Sequence, residues 1–291
     1  MNLIYLSTTF IKDNQKLSKS LNLIKKNKLT VNVELGSNHI YEKNYNYLKK
    51  YNFNFLTHNY FPPQKKEFVI NIASNDNVMR KKSIFIIKKN IKFSKKIKSK
   101  LYTFHPGFLE DPIGKNQSKL NYDFVWSKKK ITKNNYQIAW GHMLKSLKEI
   151  IKFSNKIKQK IAIETEGSFK KSHLLLMQKP VEFKNLYKII SPKDLGINLN
   201  LGHLNLASKA FNFSRKNFVK NIKNYIVAIE MSHNMRLEDN HLPLKKGRFW
   251  YWKILKDKAF ENTPKILEVR NIKTKDLSHN LKMIINELYT K

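Results

Sequence analysis

Short runs rich in β-branched and aromatic residues alternate along the chain with longer stretches that have helical spacing. The short runs have the composition of buried strands and lie at residues 2–7, 29–35, 53–58, 67–73, 100–105, 160–165, 194–200, 225–231 and 264–270. The stretches with helical spacing lie at residues 14–27, 42–51, 76–99, 136–158, 181–190, 214–223, 248–258 and 274–290. This alternation predicts a parallel sheet, and eight repeats favour its closure into a (β/α)8 barrel formed by residues 1–291 as a single domain.

Two segments fit the alternation less simply. The run FVINIA, within residues 67–73, is predicted either to belong to the loop after the third strand or to pair with that strand. Residues 106–135 contain Pro, Gly and Asn, show little periodicity and follow the fourth strand. Long loops in this position are usually lids or binding loops, so we expect residues 106–135 to help form a substrate pocket.

Acidic, amide and imidazole side chains stand at the ends of successive predicted strands. They are Glu34, His58, His105, Glu164, Asn200, His203, Glu230 and Glu268. In a (β/α)8 barrel the carboxyl ends of all strands meet on one face, which is the face that carries the active site. The series therefore predicts one site whose side chains can bind metal or move protons.

The composition limits the chemistry of that site. Cysteine is absent, which excludes a disulfide framework, a thiolate zinc site and a cysteine nucleophile. Any metal must then be held by histidine, carboxylate or amide oxygen. The sequence has no run near the roughly 18 apolar residues of a membrane span, and its opening does not resemble a secretion signal. We expect a cytoplasmic protein without membrane contact.

The net charge of +36 raises the alternative of nucleic acid binding. Only five of the 57 basic residues are arginine, however, and arginine is the residue that best recognises phosphates and bases through paired hydrogen bonds. The chain is also rich in isoleucine and asparagine, as expected for an AT-rich genome. We interpret most lysines as solvated helix surface, so that nucleic acid remains possible as a partner but is not favoured.

Five short motifs carry the polar residues. They are THNYFPP with His58, FHPGF with His105, IAIETEG with Glu164, NLGH with Asn200 and His203, and DNHLPLKKG with Asp239 and His241. A single glutamate at a strand end is more often solvated or ion-paired than catalytic, and a single histidine is more often structural. The spacing of Asp239 and His241 is more specific, because it lets both side chains contact one cation. The combination of the five motifs is difficult to explain by chance.

In this order, and with Glu268 in ILEVR, the motifs resemble the xylose-isomerase-like TIM-barrel superfamily over nearly the whole chain. That group contains sugar phosphate isomerases and epimerases, and also the endonuclease IV apurinic endonucleases. The resemblance implies a divalent metal site where Glu164, Asn200, Glu230 and Glu268 converge. For the nuclease branch it implies two further metals, held by His58, His105 and Glu164 and by His203, Asp239 and His241.

Two residues depart from the family pattern. Asn200 stands where the pattern has aspartate, and Glu230 stands where it commonly has histidine. The first change removes a negative charge and the second adds one, so the set keeps about three negative charges, which suggests a retained cation. Ligation by oxygen alone favours manganese or magnesium over zinc, and this counts against a zinc nuclease.

The resemblance and the residues together favour a sugar or sugar-phosphate isomerase or epimerase. Such an enzyme needs a cation that polarises the sugar oxygens and a base beside the carbon that loses its proton. We predict that Glu164 and Glu268 act as base and acid through an enediolate. The substrate would contact side chains predicted to orient its hydroxyls or bind its phosphate, namely His58, His105, His203, Lys245 and Arg248.

Two other functions remain open. The first is a metal-dependent apurinic endonuclease, for which the sequence shows no arginine-rich or distinctive DNA-penetrating loop. The second is a metal-binding protein without catalytic activity, because a fold does not determine a function. The aromatic segment RFWYW at 248–252 is predicted to begin a helix that packs on the barrel and not to stack on a sugar.

Overall fold

The computed structural model describes residues 3–66, 68–115, 124–126, 132–167 and 174–289. Eight parallel strands form a closed barrel in chain order. They are β1 (Ile4–Ser7), β2 (Asn32–Leu35), β3 (Asn54–His58), β4 (Tyr102–Phe104), β5 (Ile161–Glu164), β6 (Gly196–Asn200), β7 (Ile226–Met231) and β8 (Lys265–Leu267). The barrel closes where β1 pairs with β8, with Leu6 opposite Leu267. The predicted (β/α)8 barrel is confirmed.

Helices of varied length surround the barrel. The α-helices in the described ranges are α1 (Leu17–Lys26), α2 (Asn77–Lys96), α3 (Lys133–Ile157), α4 (Pro180–Leu186), α5 (Leu201–Ala210), α6 (Arg215–Ile222), α7 (Trp250–Leu255) and α8 (Thr274–Tyr289). Between β2 and β3 the predicted helix is only a 3-10 helix, Asn46–Lys50. None of the described helices is long and apolar enough to cross a membrane.

Helix α5 was not predicted from the sequence. It begins directly after β6 because the Asn200 side chain caps it by accepting the backbone N–H of His203. Every residue from Leu201 to Ser208 is buried, so this stretch has no solvent-exposed face to give the amphipathic periodicity by which helices are recognised.

The run within residues 67–73 belongs to the loop after β3, which was the first of the two predicted alternatives. Its backbone N–H groups pair with side chains in place of a strand: the Ile70 N–H donates to the hydroxyl of Tyr60, and that of Asn71 donates to Ser83 Oγ. The segment 106–135 contains a short antiparallel pair, Gly114–Lys115 with Phe124–Val125. Residues 116–123 and 127–131 of that predicted binding loop, and Glu67, lie outside the described residues.

The barrel interior changes from apolar to polar along the strands. A small cluster of buried side chains that includes Tyr5, Leu56, Ala162, Ala228 and Ile266 fills the lower part. Because side chains alternate between the two faces of a strand, the residue two positions further on faces the same interior. That step leads from Ala162 to Glu164, from Ala228 to Glu230 and from Ile266 to Glu268. The period of the strands thus brings the acidic residues to one end of the barrel.

Candidate active site

Four carboxylates are buried together at the carboxyl ends of the strands. They are Glu34, Glu164, Glu230 and Glu268, and none is more than 5% exposed. A buried carboxylate must be paired, protonated or bound to a cation, because an isolated charge is strongly disfavoured away from water. The partners of each carboxylate therefore indicate what the site can bind.

Glu164 has two differently surrounded oxygens. Oε1 accepts a hydrogen bond from Asn200 Nδ2 at 2.9 Å and lies 3.2 Å from His203 Nδ1. Oε2 has no hydrogen-bond partner in the described part of the chain, and lies 3.6 Å from His58 Nε2 and 3.9 Å from His105 Nε2. Burial alone would raise the pKa of Glu164, but the nearby imidazoles outweigh burial and lower this pKa to about 2.

The two histidine rings are held so that Nε2 faces Glu164. Nδ1 of His58 is 2.8 Å from Thr103 Oγ1, and Nδ1 of His105 is 2.6 Å from Glu166 Oε1. Such a second partner on the far ring nitrogen is what orients histidines that bind metals. Burial lowers the pKa of His58. Burial also disfavours charge on His105, but the Glu166 and Glu164 carboxylates outweigh this effect and raise its pKa to about 9.

His58, His105 and Glu164 fit a divalent cation. One donor atom from each lies within 4.8 Å of the others, and the same holds for a second group, Glu34, His58 and Glu230. Two donors at about 2.1 Å from one ion at a tetrahedral angle would be about 3.4 Å apart, close to the separations around Glu164 Oε2. Glu164 Oε2 and the two imidazole nitrogens thus have nearly the spacing of ligands around one ion. This nitrogen-containing set suits zinc as well as manganese.

The other half of the site is held by amide hydrogen bonds. Asn200 Nδ2 also donates to Glu230 Oε1 at 2.9 Å, and Asn198 Nδ2 donates to Glu230 Oε2 at 2.9 Å. Burial and the charges of Glu164 and Glu268 raise the pKa of Glu230 well above its ordinary value. Glu230 is hydrogen-bonded to Glu268, whose pKa is held well below its ordinary range, against burial, chiefly by His241.

A second histidine group lies along the rim. Asp239 Oδ2 is 3.1 Å from His203 Nε2 and 3.1 Å from His241 Nε2, and His241 Nδ1 is 3.0 Å from Glu268 Oε2. Asp239 raises the pKa of His203 well above its ordinary value although burial acts in the opposite sense. The pKa of His241 is raised to about 9, because Asp239 and Glu268 outweigh burial and Arg270. The spacing of Asp239 and His241 thus brings the two side chains into direct contact, and their predicted role at a cation stays a prediction.

The predicted phosphate-binding residues differ from this cluster in their burial. Lys245 and Arg248 are both exposed, on the loop that precedes α7. The aromatic segment that follows packs as predicted, since Tyr251 and Trp252 are buried and Trp252 Nε1 donates to the Lys245 carbonyl at 3.0 Å. The predicted roles of Lys245 and Arg248 therefore stay predictions.

Two residues of the site, Glu166 and Asn198, were not recognised from the sequence, and Glu34 was placed in the predicted site without being assigned as a ligand. Glu166 is the second acid of the IETEG motif and orients His105. Asn198 precedes Asn200 by two positions, which is the spacing of two side chains on the same face of a strand. Glu34 was noted at a strand end but was not included among the predicted ligands. The sequence did contain a signal for each residue. For Glu166 it is the alternation E-x-E, for Asn198 the alternation N-x-N, and for Glu34 its position at a strand end.

The fold and the cluster define a (β/α)8-barrel protein with a candidate metal centre on the carboxyl face of the barrel. The family model for the xylose isomerase-like TIM barrel matches residues 33–287. The chain belongs to this family.

Three relatives illustrate how far the similarity extends. An uncharacterized protein of Methanocaldococcus jannaschii is 23% identical over 264 residues, covering 87% of this chain and 79% of that one. The crystal structure of a D-tagatose 3-epimerase-like protein has a TM-score of 0.71 and 20% identity, covering 98% of this chain and 99% of the other. The structure of an L-ribulose 3-epimerase has a TM-score of 0.69 and 9% identity, covering 100% and 95%. These two structures show the shared fold.

Proposed function

We propose that the protein is a divalent-metal-dependent isomerase or epimerase of a sugar or sugar phosphate, acting by proton transfer between carboxylates. The observation that carries this proposal is the pair of buried carboxylates at the ends of β5 and β8, Glu164 and Glu268, whose pKa values are both lowered. Both are therefore ionised at neutral pH, as a base must be. The family and the epimerases of the same fold support the proposal.

Glu164 and Glu268 stand three strands apart on the ring and face the same opening. A sugar lying across the barrel mouth would meet one carboxylate on each side. One carboxylate removes the proton from the carbon next to the carbonyl. The other, which is ionised at rest, has to receive a proton from a neighbouring acid before it delivers one to the opposite face or to the neighbouring carbon. Glu230 is hydrogen-bonded to Glu268, so a proton is held beside the residue that has to supply one.

His58, His105 and Glu164 would hold the divalent ion, for the reasons of spacing given above. When bound, the ion supplies positive charge that polarises the sugar oxygens and stabilises the negative charge that develops on them. His203 and His241 carry raised pKa values, and both nitrogens of each ring already face protein acceptors, so these histidines would hold Asp239 and Glu268 in place. Lys245 and Arg248 would contact a phosphate at the edge of the site.

The test uses protein loaded with Mn²⁺ and a panel of ketoses and ketose phosphates in deuterated water. The proposal predicts that the true substrate acquires deuterium at the carbon next to the carbonyl, as detected by NMR. Turnover without exchange with solvent would indicate direct hydride transfer and remove Glu164 and Glu268 from the roles of base and acid.

A second candidate function has its own observation. The two histidine groups, His58 with His105 on Glu164 and His203 with His241 on Asp239, resemble the donors of a phosphodiester hydrolase with several metals. Incubation with duplex DNA that contains an abasic site separates the two functions. Cleavage at catalytic amounts of protein, abolished by a chelator, would favour the hydrolase over the isomerase.

A further inference from the structure

The orientation of the Asn200 amide is fixed by two sets of contacts. Its Oδ1 accepts the backbone N–H of His203 at 3.0 Å, the hydrogen bond that caps α5. A backbone N–H can donate only to the oxygen of a side-chain amide, so the NH2 group must point the other way. On that side Nδ2 is 2.9 Å from Oε1 of Glu164 and 2.9 Å from Oε1 of Glu230.

Asn198 completes the same arrangement one pleat below. Its Nδ2 donates to the second oxygen of Glu230 at 2.9 Å. Both oxygens of Glu230 and one oxygen of Glu164 thus accept amide hydrogens. Amide N–H groups present partial positive charge to a carboxylate, as a cation does, but they offer no lone pair to an ion.

The two oxygens of Glu164 divide accordingly. Oε1 is bound by the Asn200 amide, whereas Oε2 lacks a hydrogen bond from any described residue and faces the imidazoles of His58 and His105. A cation placed among Glu164, residue 200 and Glu230 would lie against the hydrogens of the Asn200 amide. It could gain the amide oxygen only if the cap of α5 were broken.

We propose that the amides of Asn198 and Asn200 take the place of a divalent ion between β5 and β7, so that the ion on Glu164 lies on the side of β3 and β4, with His58 and His105. The role of that ion in catalysis rests on the proposed function, whereas its position does not. Glu268 is then no ligand of the ion, and its carboxylate is free to move a proton.

The first test measures Mn²⁺ affinity by calorimetry for two matched variants, Glu164→Gln and Glu268→Gln. The inference predicts that Glu164→Gln lowers the affinity about 100-fold or more, because a ligand is lost. Glu268→Gln is expected to change it less than about threefold. Equal losses in the two variants would overturn the inference, since both carboxylates would then hold the ion.

The second test restores the missing charge. Asn200→Asp supplies an oxygen on both sides of residue 200, so the metal content after gel filtration is expected to rise by one ion per chain. Asn205→Asp is the matched control, because Asn205 is also a buried asparagine of α5 but bonds to Asn234 and Arg215. It should leave the ion count unchanged. Circular dichroism checks the fold, and if Asn200→Asp does not fold, the first test alone decides.

An unchanged ion count in folded Asn200→Asp would overturn the inference, as would a rise of the same size in the Asn205→Asp control. Both measurements are made without substrate. A protein that passes them but exchanges no deuterium into any sugar would refute the proposed function and leave the position of the ion standing.

Discussion

The two halves of the barrel mouth neutralise their buried carboxylates in different ways. Between β3 and β5, Glu164 Oε2 faces two imidazole nitrogens and has no hydrogen bond from the described residues. Between β6 and β8, both oxygens of Glu230 are bound by asparagine amides. Burial disfavours charge in either case, but Glu164 Oε2 faces two imidazole nitrogens with its lone pairs, whereas each oxygen of Glu230 faces an amide hydrogen. A cluster of buried acidic residues can therefore be suited to an ion in one part and be hydrogen-bonded by amides in another.

Glu164 belongs to both halves, and its replacement should have the largest effect. Glu164→Gln is expected to lower kcat/KM by about 10⁴-fold or more, since the variant loses a base and a metal ligand together. Steady-state kinetics with the substrate found by deuterium exchange would measure this. Glu166→Gln, which alters a neighbouring acid that orients His105, should be less damaging. A larger loss in Glu166→Gln would place the essential carboxylate at position 166.

Glu268 lies in the other half of the mouth, where asparagine amides bind Glu230. Glu268→Gln is expected to lower kcat by about 10² to 10⁴-fold, the range of a lost acid or base, and to suppress deuterium exchange. Its melting temperature should remain near that of the wild type, because the glutamine can still accept a hydrogen bond from its neighbours. Glu268→Asp, which keeps the carboxyl group, should retain part of the activity. Full exchange in Glu268→Gln would contradict the assigned role.

The sequence allowed the barrel and most of the cluster to be predicted, because both depend on local period. The two-residue step of a strand carries Glu164, Glu230 and Glu268 above inward-facing core residues, and this step is visible in the chain. The direction in which a side-chain amide forms its hydrogen bonds cannot be read from this period. The family resemblance implied Asn200 as a metal ligand, and the capping contact to His203 shows that its amide hydrogens face the carboxylates. That prediction stays untested, as do the roles of the other predicted site residues.

Burial explains the elements that were missed or shortened. Helix α5 is buried from Leu201 to Ser208, and its polar residues His203 and Asn205 are buried with its leucines, so its sequence lacks the pattern of a surface helix. The segment around Asn71 is apolar as well, yet its backbone N–H groups donate hydrogen bonds to the hydroxyls of Tyr60 and Ser83, which hold it as a loop. Both outcomes depend on tertiary contacts, which composition and period do not report.

The pH dependence of ion binding sharpens the comparison, because only the imidazole half should respond. The pKa of His105 is raised to about 9, so its ring is protonated at neutral pH and must lose that proton to bind an ion. The pKa of His58 is lowered and that of Glu164 is about 2, so neither adds a proton near pH 7. Mn²⁺ affinity should therefore rise about tenfold per pH unit up to about pH 9.

Calorimetry at pH 6, 7 and 8 in buffers of different ionisation enthalpy would measure the affinity and count the proton released. In Glu166→Gln the main partner that raises the pKa of His105 is absent, so the affinity should level off at a lower pH. An affinity that does not change with pH in the wild type would exclude His105 as a ligand.

The smallest effect is expected at Lys245 and Arg248, which are exposed, unlike the carboxylates of the mouth. If they bind a phosphate, Lys245→Ala and Arg248→Ala should each raise KM for a sugar phosphate by about tenfold or less, since exposed ion pairs are weak and screened by salt. The value of kcat should stay near that of the wild type because the proposal gives neither side chain a part in proton transfer. Exposed Lys253 on α7 offers the matched control, as Lys253→Ala removes the same charge from the neighbouring helix. The KM for the substrate without its phosphate should be unaffected by all three changes.

An equal rise in KM for the phosphorylated and unphosphorylated sugar would show that Lys245 and Arg248 act on the shape of the loop and not on the phosphate. The exposed edge would then contribute nothing to the recognition of charge.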